Sequence, residues 1–406
     1  MQDTSTATPV TTAISFALLH AQFAALPDPR RAQGRRFPLA ALLTLAVAAI
    51  LANHLSVLAI AEWGTAQSER IRRALGFTGE RMPHQTTLHR LFARLDARLL
   101  AATLARALAE AQGSGPLPQG AQAIAVDGKA QRGRLAGQPI DASWSPIHML
   151  SALCHETGLV LAQMPVIATG DKATAELATA SALIAQLDWH GRVLTGDALY
   201  CQRGLCQQVL DAGGDYLVSV KQNQQALHRD ITILFAHRAD AALNAASLPA
   251  QDLREAVTEN HGHGREERRT LTASRDLNDY LDWPGVGQVF MVERVWRERG
   301  REKGAVQYGI TSLPMAQGGA TRLLACKRGH WGIENGLHHV KDVTLGEDAS
   351  RVRVGQGPNV LALLRDTALN VLRSTGCRTI AARLRHHCRC PDDLLILLDL
   401  PLTEHA

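Results

Sequence analysis

Ala123-Ile124-Ala125-Val126-Asp127-Gly128-Lys129 is a short apolar run that ends on a carboxylate, and the pattern behind it decides the fold. Two more apolar segments follow, Ile147 to Cys154 and Leu159 to Val166, with His155-Glu156-Thr157-Gly158 between them as a hairpin turn. Next come an alanine-rich helix at Ala173 to Leu187, a strand at Arg192 to Gly196, a helix at Cys201 to Ala212 and a strand at Tyr216 to Val220. The strand at Arg192 to Gly196, like the first of the series, runs straight into an acid, Asp197.

Three antiparallel strands followed by helix, strand, helix and strand is the order of a ribonuclease-H-like α/β fold. In that order the first and fourth strands lie side by side, which makes Asp127 and Asp197 neighbours although they are far apart in the chain. A third acid, Glu334, lies in the helix-like segment Arg328 to Lys341. Seven steps of about 100° return to nearly the same helix face and advance about 10 Å. The spacing therefore predicts one face with Glu334, His338 and Lys341, and a flanking apolar stripe of Ile333, Leu337 and Val340. Two carboxylates at strand ends and one on a helix can converge on a pair of hard divalent cations, a set suited to in-line displacement at phosphorus.

Five ordered motifs carry a resemblance to a known family: Ala125-Val126-Asp127-Gly128-Lys129, His148-Met149-Leu150-Ser151-Ala152, Gly196-Asp197-Ala198, the run from Asp215 to Gln224, and Gly329-His330-Trp331-Gly332-Ile333-Glu334-Asn335. In this order, over roughly Phe16 to Arg373, the chain resembles the H-repeat-associated DDE transposases of bacterial insertion sequences. The resemblance implies a ribonuclease-H-like catalytic core that cuts element ends and transfers 3′-hydroxyl ends into target DNA. It implies Asp127, Asp197 and Glu334 as catalytic residues and as ligands of two Mg2+ ions, with Mn2+ able to substitute. The implied partner is DNA, both the terminal inverted repeats and the target. Because two ends must be handled together, a homodimer on DNA is expected, in the bacterial cytoplasm at the nucleoid and without a membrane. Two other functions fit the same residues: a nuclease of this fold without strand transfer, and a catalytically inactive or domesticated DNA-binding remnant.

The segment around Glu334 also resembles a wider superfamily signature of Tyr, Arg, Glu and Lys at fixed spacing. Glu334 and Lys341 match it, while Lys327 and His330 stand where the signature has Tyr and Arg, and Arg328 is a candidate for the missing guanidinium. The further expected DNA contacts are Lys129, just after the first acid, Lys221 and Asn223 at a strand end, and Arg328, His330, Lys341 and Arg351. Trp296, between Arg294 and Arg297, has two readings: a stacking platform for an unpaired base, or a sheet-core residue. His148 opens the second strand either beside the metals or as a structural histidine.

The chain has 406 residues, 46% hydrophobic and 20% charged, enough for a large core and two or three domains. A net charge of +5 permits nucleic acid binding without requiring it, but arginine clusters recur along the chain, as at Arg30-Arg31, Arg351-Arg353 and Arg378 to Arg389. Seven cysteines at irregular spacing point to reduced thiols, and His386-His387-Cys388-Arg389-Cys390 is a weak soft-metal motif. Phe37 to Ala61 contains no Asp, Glu, Lys or Arg, but Asn53, His54 and Ser56 interrupt it, which predicts two core helices rather than a membrane span.

The expected domains are a helical N-terminal domain at 1–113, a first part of the core at 121–238, a β-rich insertion at 239–314, a second part of the core with Glu334 at 315–375 and a tail at 376–406. Gln112 to Gln122 reads as a linker. In the N-terminal domain, His84 to Arg98 reads as the second helix of a helix-turn-helix with His84, Gln85, Thr87, His89 and Arg90 on its polar face, or as a helix that only packs on the core.

Overall fold

The computed structural model describes residues 14–112, 122–132, 147–167, 171–243, 252–262, 265–298 and 301–397. The expected linker lies almost entirely outside these residues. The fold is mixed α/β, and the chain divides into two compact units. One comprises residues 1–118, 128–179 and 333–406, and the other residues 119–127 and 180–332.

In the first unit the helices are α1 (Phe16–Ala24), α2 (Leu39–Leu51), α3 (Val57–Ala66), α4 (Glu69–Ala74), α5 (Gln85–Arg94) and α6 (Ala97–Gln112). Strand β1 (Gln122–Ala130) contributes its last residues, followed by β2 (His148–Cys154), β3 (Val160–Pro165) and α7 (Lys172–Ile184) as far as Thr179, the rest of that helix belonging to the second unit. Every residue of α2 is buried, because leucine, alanine, valine and isoleucine cover all its sides and leave no polar face to turn outward. The stretch Ala32–Leu51 is long and apolar enough to cross a bilayer, yet most of it is packed inside the unit. Asn53, with φ of 66°, supplies the left-handed break between α2 and α3.

The segment expected as one helix from His84 to Arg98 is two. His84 is not on a helix face: it is the N-cap of α5, its Nδ1 accepting from the Thr86 amide. Asp96 then caps α6 by accepting from the amides of Arg98 and Leu99 at 2.9 and 3.1 Å. A carboxylate that takes two N–H groups starts a new helix more readily than it continues an old one.

The second unit begins with β1 and holds β4 (Arg192–Gly196), α8 (Arg203–Asp211), β5 (Asp215–Val220) and α9 (Gln225–Leu243). Four long strands follow, β6 (Arg254–Gly262), β7 (Arg265–Ser274), β8 (Gln288–Glu298) and β9 (Arg301–Thr311), then α10 (Ala320–Gly329). The strand order is β1-β4-β5-β9-β8-β7-β6, parallel from β1 through β5 and antiparallel from there. Ala320, Leu323 and Leu324 of α10 pack into a core with Val193, Leu217, Leu271 and Phe290. Gly309 on β9 is required by this packing, since a Cβ there would stand 2.2 Å from the Phe290 ring and 2.6 Å from the Val218 carbonyl. The polar run of β6 gave no strand signal, because the half-buried face carries Ala256, Thr258 and Asn260 and the exposed face carries Val257, so the burial alternates without an apolar alternation in the sequence.

In the first unit, β3 pairs with β2 in antiparallel fashion, and the Gln131 amide donates to the Ile147 carbonyl just past the end of β1. Helix α11 (Gly357–Ser374) packs against α2, α5, α6 and β3. Its Asn370 side chain meets the Val160 backbone as a neighbouring strand would, donating to the carbonyl and accepting from the amide at 2.8 Å each. Helices α12 (Ile380–Arg389) and α13 (Pro391–Leu397) complete this unit.

Candidate active site

In the second unit β1 and β4 pair in parallel, with Ala125 opposite Thr195. Asp127 stands two residues beyond Ala125, inside β1 rather than at the strand end expected from the sequence, and Asp197 two beyond Thr195, just past the end of β4, so the register brings the two acids to neighbouring positions. Neighbouring strands lie about 4.8 Å apart, which is within the span of one cation with oxygen ligands. The apolar runs before the acids are buried, Asp127 is half-buried and Asp197 is exposed. One oxygen of Asp197 accepts from the Leu199 amide at 2.8 Å and fixes the turn after β4. A donor set made of carboxylate oxygens fits a hard divalent cation, so the chemistry of these residues is compatible with Mg2+.

Side chains from α10 and β5 surround this pair. The Lys327 ammonium donates to the Ser219 hydroxyl at 2.5 Å, and burial draws it down to about 8 while the Asp197 carboxylate opposes that fall. The His330 ring stands 3.2 Å from the Thr195 hydroxyl, which ties the chain just ahead of Glu334 to β4. Lys221 is exposed at the end of β5, and Asn223 donates to the carbonyl of Ala198, the residue after Asp197, at 2.7 Å. Arg328 reaches Asn260 on β6 at 3.2 Å.

In the first unit, Glu334 belongs to a π-wound turn, Ile333–His338, and a second such turn spans Val340–Thr344. An i→i+5 winding takes more residues per turn than the about 3.6 of an α-helix, so seven steps no longer return to the same side. The expected common face of Glu334, His338 and Lys341 is therefore absent. Glu334 is more than half exposed, with one oxygen 3.5 Å from His338 Nδ1, whereas His338 and Lys341 are buried. Burial lowers the His338 imidazole to about 4 against the pull of Glu334.

Lys341 is not placed for the phosphate contact expected of it. Its ammonium, 1% exposed, lies 2.8 Å from Asp366 and 3.4 Å from Glu347, and Arg365 also faces Glu347 at 4.0 Å. Burial works against the Lys341 charge, but the two carboxylates outweigh it and hold the ammonium above its ordinary range. Lys129 is likewise turned inward, 2.7 Å from Asp342, 3.3 Å from Glu347 and 3.6 Å from Asp348. Glu347 and Asp366, which anchor these lysines, were missed in the sequence because lone acids in polar or helical runs look like surface residues. The one signal was the Arg365-Asp366-Thr367 run set between the apolar stretches of α11.

His148 is fully buried, and its Nε2 is 3.4 Å from Glu176. Burial and the Lys172 charge lower its imidazole to about 4, so the ring is neutral at pH 7 despite that carboxylate. Arg351 is exposed in the first unit. Trp296 lies on β8 with the Arg294 guanidinium 4.8 Å over its ring. It is five residues beyond Met291, the partner of Tyr308, and so about 17 Å further along the ribbon. His386, Cys390 and Asp393 of the tail have ligand atoms within 4.8 Å of one another.

The model described as "Transposase DDE domain" matches residues 118–371, and the one described as "DDE_Tnp_1-associated" matches residues 20–107. The chain is 29% identical over 364 residues to the protein named "Putative transposase YncI" of Escherichia coli O157:H7, covering 87% of this chain and 86% of that one. It is 30% identical to the "H repeat-associated putative transposase YhhI" of Escherichia coli strain K12, over 66% of this chain and 67% of the relative. A cryo-EM structure of the piggyBac transposase synaptic complex with hairpin DNA aligns over 96% of this chain and 85% of its own at a TM-score of 0.39 and 11% identity.

Proposed function

This chain belongs to the H-repeat-associated DDE transposases, and from that membership we propose that it cuts the ends of its element and joins the freed 3′-hydroxyl ends to target DNA by in-line phosphoryl transfer. The observation that carries the proposal is the parallel pairing of β1 with β4, which puts Asp127 and Asp197 each two residues beyond the last paired positions, Ala125 and Thr195. In this reading Asp127, Asp197 and Glu334 hold two Mg2+ ions, for which Mn2+ substitutes. When bound, such ions supply the electrostatic stabilisation that phosphoryl transfer needs.

The protein's own groups do the positioning. His330, held on Thr195, sets the direction of the chain that leads to Glu334. Lys327, braced by Ser219, keeps a positive charge beside Asp197, and exposed Lys221 offers the adjoining DNA phosphate a cation. Arg328 and Arg351 extend that phosphate contact in this reading. The parallel β1, β4 and β5 with the antiparallel β2 and β3 support a ribonuclease-H-like core. The helices before residue 113 are assigned to terminal-repeat binding, β6 to β9 to shaping the DNA-end pocket, and a homodimer to the DNA complex.

The test is Asp197→Ala with DNA carrying the element's own ends. Cleavage and strand transfer are expected to vanish while binding to the terminal repeat stays within about twofold. Wild-type cleavage by that variant would refute the proposed chemistry, and cleavage by the native protein after complete chelation of divalent ions would do the same.

A further inference from the structure

Within the second unit a cavity of about 670 Å³ opens beside the turn that follows Asp197. Its volume falls in the range of about 300–1,000 Å³ typical of small-ligand sites. One wall is the amide run Gln222-Asn223-Gln224-Gln225, and the other is the loop between β7 and β8 that carries Tyr280 and Trp283. The amide wall is fastened to the turn after Asp197: Asn223 donates to the Ala198 carbonyl at 2.7 Å and Gln224 to the Cys201 carbonyl at 2.9 Å. The aromatic wall is fastened by Arg203, which pairs with Asp282 at 3.0 Å and lies 5.7 Å over the Trp283 ring.

Three features of this cavity match one class of ligand. Tyr280 is 66% exposed, a large planar side chain left facing solvent at the mouth. Gln222 and Gln225 are exposed opposite it, and an amide group carries both donors and an acceptor, the complement of a base edge. Lys221, one residue before the wall, offers a cation to the backbone of the same nucleotide. A stacking ring, paired donor and acceptor groups and a flanking cation together make a receptor for an unpaired nucleotide.

We propose that this cavity is a nucleobase subsite that takes an unpaired nucleotide of the DNA flanking the scissile phosphate, with its base stacked on Tyr280 and its edge met by Gln222 and Gln225. The proposal deepens the transposase reading and rests on it. It assigns base stacking to the loop after β7 rather than to Trp296, which stands well out along the ribbon.

The test uses the full chain and two probes, a blunt DNA duplex and the same duplex with a short unpaired tail containing 2-aminopurine. The native protein is expected to bind the tailed duplex about tenfold more tightly and to quench the 2-aminopurine, which is the scale of one base–aromatic stack. Tyr280→Ala should lose both the tail preference and the quenching while binding the blunt duplex as before, and Tyr280→Phe should keep both. Tail preference that survives in Tyr280→Ala, or a native protein that binds both probes equally, overturns the nucleobase subsite and leaves the transposase reading standing. Failure of the native protein to bind either duplex overturns both.

Discussion

The Lys341 ammonium donates to Asp366 at 2.8 Å, and neither group is more than 4% exposed. A lysine at the position where a phosphate contact was expected is therefore an internal counter-ion for Asp366 and Glu347. Removing one partner of a buried ion pair strands the other charge in a medium that cannot solvate it, at a cost of about 3–5 kcal/mol. Lys341→Met is accordingly expected to lower unfolding free energy by that amount in urea titrations, and Lys341→Met combined with Asp366→Asn to recover part of it. Unchanged stability with a selective loss of DNA affinity in Lys341→Met would show that the lysine does face phosphate.

Gly128 follows Asp127, and a Cβ there would come within 2.5 Å of His148 Nε2 and 2.6 Å of Glu176 Oε1. Both neighbours are buried and have little room to retreat, so Gly128→Ala is expected to destabilise the fold by about 1–3 kcal/mol through overpacking. Thermal unfolding of the variant checks this, and a melting temperature equal to that of the native protein would mean that β2 and α7 yield freely.

His148 gives a pH dependence with a definite sign. Its imidazole has an ordinary value of about 6.5 when unfolded and is lowered to about 4 when folded, because burial and Lys172 disfavour its cation. Between those values the unfolded chain binds a proton that the folded one refuses. The stabilisation is thus whole above pH 6.5 and is lost as pH falls toward 4, by on the order of 3 kcal/mol. His155 and His338 are also lowered to about 4 by burial, so the slope of the native protein is a sum. In His148→Gln the share due to this residue is expected to disappear. An identical slope of unfolding free energy against pH in the two proteins would assign the acid sensitivity elsewhere.

The strands flanking the candidate site were legible because their sequences are unambiguous. Val193, Leu194 and Thr195 are buried on both faces of a parallel sheet, and such strands show as continuous apolar runs that stop at the acid. The split between α2 and α3 was legible at Asn53 for a similar reason, since few other residues accept its backbone conformation. Three things were not legible. The winding that separates Lys341 from the side of Glu334 depends on tertiary packing, which overrides the ordinary helical period. The inward turn of Lys129 depends on Asp342, Glu347 and Asp348, acids far away in the chain. The break at Asp96 was overlooked because the apolar spacing of Leu88, Leu91, Phe92 and Leu95 runs on toward it without interruption.

The polar character of β6 has a consequence beyond concealing the strand. Among the described residues β6 is the outermost member of its sheet, paired only with β7, so one rim of its backbone is open to recruitment by a foreign strand. Arg254, Glu255 and Glu259 set charge along that rim, and two copies approaching rim to rim would have to dehydrate these groups before any ladder formed. The composition that makes β6 look like a loop is thus a safeguard against runaway polymerisation.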